Sequence, residues 1–86
     1  MASYELVFKR SVAKDLRDLP NKEVARVLQR INALADDPRP SGCEKLSGLE
    51  RYRIRQGDYR IVYEIQGRRL VVLIVKVGHR KDVYRQ

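Results

Sequence analysis

The chain has 86 residues, 43% hydrophobic and 35% charged, with 19 Lys and Arg against 11 Asp and Glu and a formal net charge of +8. This suits one small domain with enough apolar material to fold, and a single cysteine (Cys43) excludes an intrachain disulfide. Glu5, Lys9 and Arg10 interrupt any signal-like start, and the apolar run at residues 70–75 is too short to span a bilayer, so a soluble cytoplasmic protein with no membrane partner is expected.

Tyr4-Glu5-Leu6-Val7-Phe8 alternates and is rich in strand formers, which predicts a first strand. Ser11 is a candidate N-cap for a short helix reaching Leu19, with Val12, Leu16 and Leu19 on one side, and Pro20 ends it. Asn21 is a candidate cap for a second helix. There Glu23 complements the helix dipole, and Val24, Val27, Leu28, Ile31 and Leu34 form an amphipathic stripe. Asp36-Asp37-Pro38-Arg39-Pro40 stops that helix, and Ser41-Gly42 continues as loop.

From residue 50 the period changes to two. Arg51, Arg53 and Arg55 fall on one face of a strand while Tyr52 and Ile54 point to the core. Gln56-Gly57-Asp58 reads as a hairpin turn, residues 59–65 as the returning strand, and Gln66-Gly67-Arg68 as a second turn. Residues 70–77 form a third strand, apolar on both faces, as expected of a strand covered on one side by helices. The expected fold is α+β over a single domain, residues 1–86. It comprises an N-terminal strand, a two-helix hairpin, an antiparallel three-strand meander and a short C-terminal segment.

Charge follows the same division. Residues 1–40 carry eight Lys and Arg against six Asp and Glu, whereas residues 41–86 carry eleven against five. The second half therefore holds the field that attracts a polyanion, be it RNA, DNA, an acidic protein or anionic lipid. No cluster has metal-ligand spacing, no Ser or Cys has a paired His nearby, and there is no phosphate-binding glycine loop. An enzyme built from these residues works without metal or cofactor, with cations and a phenol. Cleavage of RNA by its own 2′-hydroxyl can run that way, since the protein need only align the attack, stabilise the phosphate oxygens and move protons.

Each candidate residue also has a plainer reading. Arg53, Arg55 and Arg60 are either a solvated sheet face or phosphate ligands. His79 is either a turn residue or a catalytic group, and Tyr84 either anchors the tail or stacks on a base.

The block Tyr52-Arg53-Ile54-Arg55-Gln56-Gly57-Asp58-Tyr59-Arg60-Ile61-Val62-Tyr63-Glu64-Ile65 resembles the central hairpin of RelE-type toxins. The ending Val77-Gly78-His79-Arg80-Lys81-Asp82-Val83-Tyr84 is similar to that family's close, and Leu19-Pro20 and Leu46-Ser47-Gly48 fit its layout. The resemblance implies a RelE/ParE-like fold and the toxin of a type II toxin–antitoxin pair. It implies an endoribonuclease that cuts mRNA in the ribosomal A site, is neutralised by a RelB-like antitoxin with an acidic helical segment, and meets operator DNA only through the toxin–antitoxin complex. Position by position, Arg53 and Arg55 match the two basic residues of the first meander strand, and Arg60 the arginine thought to stabilise the phosphate. Arg80 matches a candidate for protonating the leaving 5′-oxygen, and Tyr84 the tyrosine that stacks on the cut codon. Lys45, Arg51, His79 and Lys81 complete the expected RNA contacts.

One departure stands out: the best-known members carry lysines where this chain has Arg53 and Arg55. Guanidinium does not deprotonate in proteins, so the general base is sought in Tyr84, His79, Lys81 or the ribosomal RNA. Two other readings remain at this stage. One is a ParE-like toxin that inhibits DNA gyrase by protein binding, and the other is a basic nucleic-acid-binding module without toxicity.

Overall fold

The structure, a computed structural model, describes residues 3–46, 48 and 50–79. Arg80, Lys81 and Tyr84 lie outside the described residues. In chain order the elements are β1 (Glu5–Phe8), α1 (Arg10–Arg17), α2 (Asn21–Ala33), β2 (Glu44–Leu46), β3 (Arg51–Gln56), β4 (Tyr59–Gln66) and β5 (Val71–His79). They form one five-stranded sheet in the order β1-β5-β4-β3-β2, with β1 parallel to β5 and all other neighbours antiparallel. The meander is as expected, but it is flanked by a strand on each side. β2 has three residues, two of them charged, and so no readable period; pairing of Lys45 with Tyr52 on the edge of β3 makes it a strand.

Both helices lie on one face of the sheet. Val12 and Leu19 from the first helical unit, and Val27, Ile31 and Leu34 from the second, close over Tyr52, Ile54, Ile61, Tyr63, Ile65, Val72, Ile74 and Val77. The inward residues of β3 and β4 are the alternate ones that period two selects, so burial of this apolar stripe fixes the register. Every residue between them turns to the helix-free face.

Several boundaries differ from the sequence reading, each for a backbone reason. Ser11 is not the cap of α1. The cap is Lys9, whose N–H donates to the Ile74 carbonyl at 2.9 Å and whose own carbonyl accepts Val12 N–H at 2.9 Å, so the β1 ladder runs directly into the helix. Asn21 is likewise the first helical residue of α2. Pro20 precedes it, with its carbonyl accepting the Glu23 and Val24 amides at 2.9 and 3.1 Å. Leu70 stands outside β5 in a left-handed conformation (φ 53°), closing the turn from Gly67.

The β3–β4 turn contains only Gly57 and Asp58, because Gln56 still pairs with Tyr59. Gly57 has φ 60° and Asp58 does not share it, which is the signature of a two-residue II′ turn. On β5 the register slips between Val62 and Tyr63, which pair with Lys76 and Ile74 and leave Val75 as a bulge. No helix among the described residues is long and apolar enough to cross a membrane.

Candidate nucleic-acid interface

The helix-free face is organised by the β3–β4 register. Arg51, Arg53 and Arg55 stand in a row on β3, directly across from Glu64, Val62 and Arg60 on β4. The row is graded in its pairing. Arg51 Nε lies 3.6 Å from Glu64 Oε2, and Arg53 Nη2 lies 3.2 Å from Glu44 Oε2 on the other flank. Arg55 is exposed, makes no ion pair among the described residues, and faces another cation.

Arg60 is 5% exposed although it sits on the face without helices. β4 is the middle strand of five, and Gly78 of β5 pairs opposite Arg60, so the adjoining strand presents no side chain at that position. Arg53, Arg55 and Arg60 thus share one face toward the turn end of the hairpin, beside Gly78 of β5. An exposed guanidinium can bind a phosphate, and one already desolvated opposite it gives up little hydration if it joins.

Behind this face the sheet is held by aromatic rings. Tyr63 is fully buried, its hydroxyl donates to the Pro38 carbonyl at 2.7 Å, and Tyr52 stacks on it with ring centres 5.9 Å apart. Burial pushes the Tyr63 phenol well above its ordinary pKa, with Cys43 adding to the effect. Arg39 Nε donates to the Tyr52 hydroxyl at 3.1 Å, and its guanidinium lies 5.3 Å from that ring; the hydrogen bond holds the Arg39 pKa above its ordinary value. Tyr52 and Tyr63 thus belong to the core, and Tyr59 packs against it partly buried.

Two expected RNA contacts fall elsewhere. Lys45 registers with Tyr52, which points into the core, so Lys45 belongs to the helix side of the sheet, where it meets Glu50 at 3.4 Å. His79 registers with Tyr59 on that same side and packs edge-on against its ring, 5.8 Å between centres. The structure therefore brings Arg51, Arg53, Arg55 and Arg60 together and separates Lys45 and His79 from them. The alternation that correctly grouped the arginines applies to Lys45 only once its pairing partner is known. Sequence reasoning also missed the counter-ions Glu44 and Glu64, which are visible only through pairing across strands. Among the described residues no group of three His, Cys, Asp or Glu could hold a metal ion.

Residues 6–84 match the family described as ParE toxin of type II toxin–antitoxin system. The chain is 31% identical to Toxin RelG of Mycobacterium tuberculosis, over 96% of this chain and 98% of that protein. Among solved structures it is similar to the RelBE2 toxin–antitoxin complex of the same organism (27% identity, TM-score 0.80, covering 91% of this chain and 99% of that one). It is also similar to the archaeal RelE–RelB complex of Pyrococcus horikoshii (28% identity, TM-score 0.78, covering 91% and 96%).

Proposed function

The chain belongs to the ParE toxin family of type II toxin–antitoxin systems, within the RelE/ParE superfamily, and from that premise we propose that it is a cytoplasmic, ribosome-dependent mRNA endoribonuclease. The observation that carries this reading is the placing of Arg53, Arg55 and Arg60 on one helix-free face, Arg55 directly opposite Arg60, with Arg60 buried. A toxin that acts only by docking on a protein has no need of a desolvated guanidinium beside an exposed one.

In the proposed reaction the ribose 2′-oxygen of the A-site codon attacks the adjacent phosphorus and the bond to the 5′-oxygen breaks. The products are a 2′,3′-cyclic phosphate and a free 5′-hydroxyl. Arg60 and Arg55 stabilise the charge that gathers on the equatorial oxygens, and Arg53 holds the neighbouring phosphate. Arg80 donates a hydrogen bond to the leaving 5′-oxygen and stabilises its charge while water supplies the proton, and Tyr84 stacks on the splayed base. A guanidinium cannot take the 2′-hydroxyl proton, so that role goes to Tyr84, Lys81 or a group of the ribosome. His79 is a weaker candidate base, because its ring packs on Tyr59 on the helix side.

The partner that silences the toxin is a RelB-like antitoxin whose acidic helical segment covers the basic surface, with operator DNA bound through that complex. The test is to add purified protein to translating ribosomes and map mRNA 5′ ends. A-site cleavage that is lost in the Arg60→Ala/Arg80→Ala double variant supports the reading, and intact mRNA sinks it. The ParE description of the matched family favours one rival, inhibition of DNA gyrase. Arrest of supercoiling on induction, with mRNA uncut, would select that rival.

A further inference from the structure

Asp15 occupies a position where helix α1 calls for an apolar residue. It lies three residues after Val12 and four before Leu19, both buried, so the helical period turns it toward the sheet. Its side chain is only 15% exposed. There Oδ2 accepts the backbone N–H of Val77 at 3.0 Å, across 62 residues of sequence, and Oδ1 lies 3.6 Å from Lys76 Nζ.

The reason lies at the edge of the sheet. β1 pairs with β5 as far as Phe8 opposite Ile74, and Lys9 N–H then takes the Ile74 carbonyl as the chain turns into α1. Beyond Ile74 no strand among the described residues lies beside the outer edge of β5. The bulge at Val75 falls at this point, and the Val77 amide that follows it faces α1. An unpaired buried amide costs about as much as a lost hydrogen bond. The Asp15 carboxylate supplies the acceptor that a longer β1 would have provided.

What this anchor holds is the end of β5 that borders the arginine face: Gly78 pairs opposite Arg60, and the chain runs on from His79 to Arg80. The geometry points to Asp15 as a positioning residue for RNA cleavage: it fixes residues 76–79 after the bulge against Arg60, and with them the origin of the segment that carries Arg80. This inference rests on the endoribonuclease reading. Asp15 touches no reacting atom; it acts through the Val77 amide.

The test compares Asp15→Leu with Asp15→Asn in the full chain, purified free of its antitoxin. Leucine suits the apolar stripe of α1 and keeps the fold while deleting the acceptor. Asparagine keeps an acceptor oxygen for Val77 and loses the charge facing Lys76. Single-turnover cleavage on programmed ribosomes, ribosome affinity, melting temperature and hydrogen exchange at the Val77 amide are measured together. The Leu variant is expected to melt near the wild-type temperature, to bind ribosomes as wild type does, to lose protection at Val77, and to cleave at least about tenfold more slowly, since small misplacements of a catalytic group have large rate effects. The Asn variant should keep its Val77 protection and cleave within about threefold of wild type.

Wild-type cleavage by the Leu variant, or an equal loss in both variants, overturns the inference. If the wild-type chain itself leaves mRNA intact, the endoribonuclease reading falls with the positioning role. The exchange arm still decides the anchor, because unchanged Val77 protection in the Leu variant overturns it.

Discussion

Arg55 of β3 stands directly across from Arg60 of β4, so two guanidiniums of like charge face each other at the end of one hairpin. Like charges in directly opposed positions destabilise a sheet pair by about 0.2–1 kcal/mol. Replacing Arg55 with Gln should therefore raise stability to denaturant by about 0.5 kcal/mol, while lowering cleavage and flattening its salt dependence by roughly one phosphate contact. A variant that gains stability and keeps full activity would show that the opposed pair is mere surface.

Arg60 is the most demanding position on that face. Arg60→Ala should lower the cleavage rate by about 10² to 10³, the range for loss of one preorganised donor at a developing oxyanion. Arg60→Lys should recover little of it, because a point charge cannot reproduce the guanidinium fork. Single-turnover rates compared at equal ribosome occupancy decide this; full recovery by lysine would reduce the role of Arg60 to charge alone.

The buried Tyr63 hydroxyl ties the sheet to the Pro38 carbonyl, away from the arginine face. Tyr63→Phe should destabilise the fold by about 1–2 kcal/mol through the unmet carbonyl, with cleavage per folded molecule unchanged. The phenol pKa is raised on folding, so the unfolded chain ionises first. The stability this group contributes is complete below its ordinary pKa of 10.0 and declines as pH rises above it. Denaturation profiles in alkali should show that decline in the wild type and lose its Tyr63 share in the Phe variant.

Gly57 sets the turn that brings Arg55 and Arg60 into opposition, and its φ of 60° is one that a β-carbon disfavours. Its surroundings are open, the nearest atom to an added Cβ being Glu23 Oε2 at 3.9 Å, so the penalty is conformational and not steric. Gly57→Ala should cost about 1–2 kcal/mol and Gly57→Asn clearly less, as read by urea unfolding.

Lys45 lies on the helix side, paired with Glu50 in an exposed bridge. Lys45→Gln should change stability by less than about 0.5 kcal/mol and leave cleavage within about twofold of wild type. A large loss of cleavage would place RNA on the helix side as well.

Much of this molecule is legible in its sequence. Period two from residue 51 separated Tyr52 and Ile54 from Arg51, Arg53 and Arg55, and period 3.6 marked Val27, Ile31 and Leu34 as core. Both patterns record local backbone geometry, which each segment carries in itself. The strand β2, the parallel docking of β1 on β5, the removal of Lys45 and His79 from the arginine face, and the reach of Asp15 to Val77 are relations between distant segments. No local period encodes them, because they are fixed by which backbone amides find acceptors once the core has closed. The sequence alone thus determined which side chains share a face; the tertiary structure decided which faces meet, since pairing and burial are satisfied only by the chain as a whole.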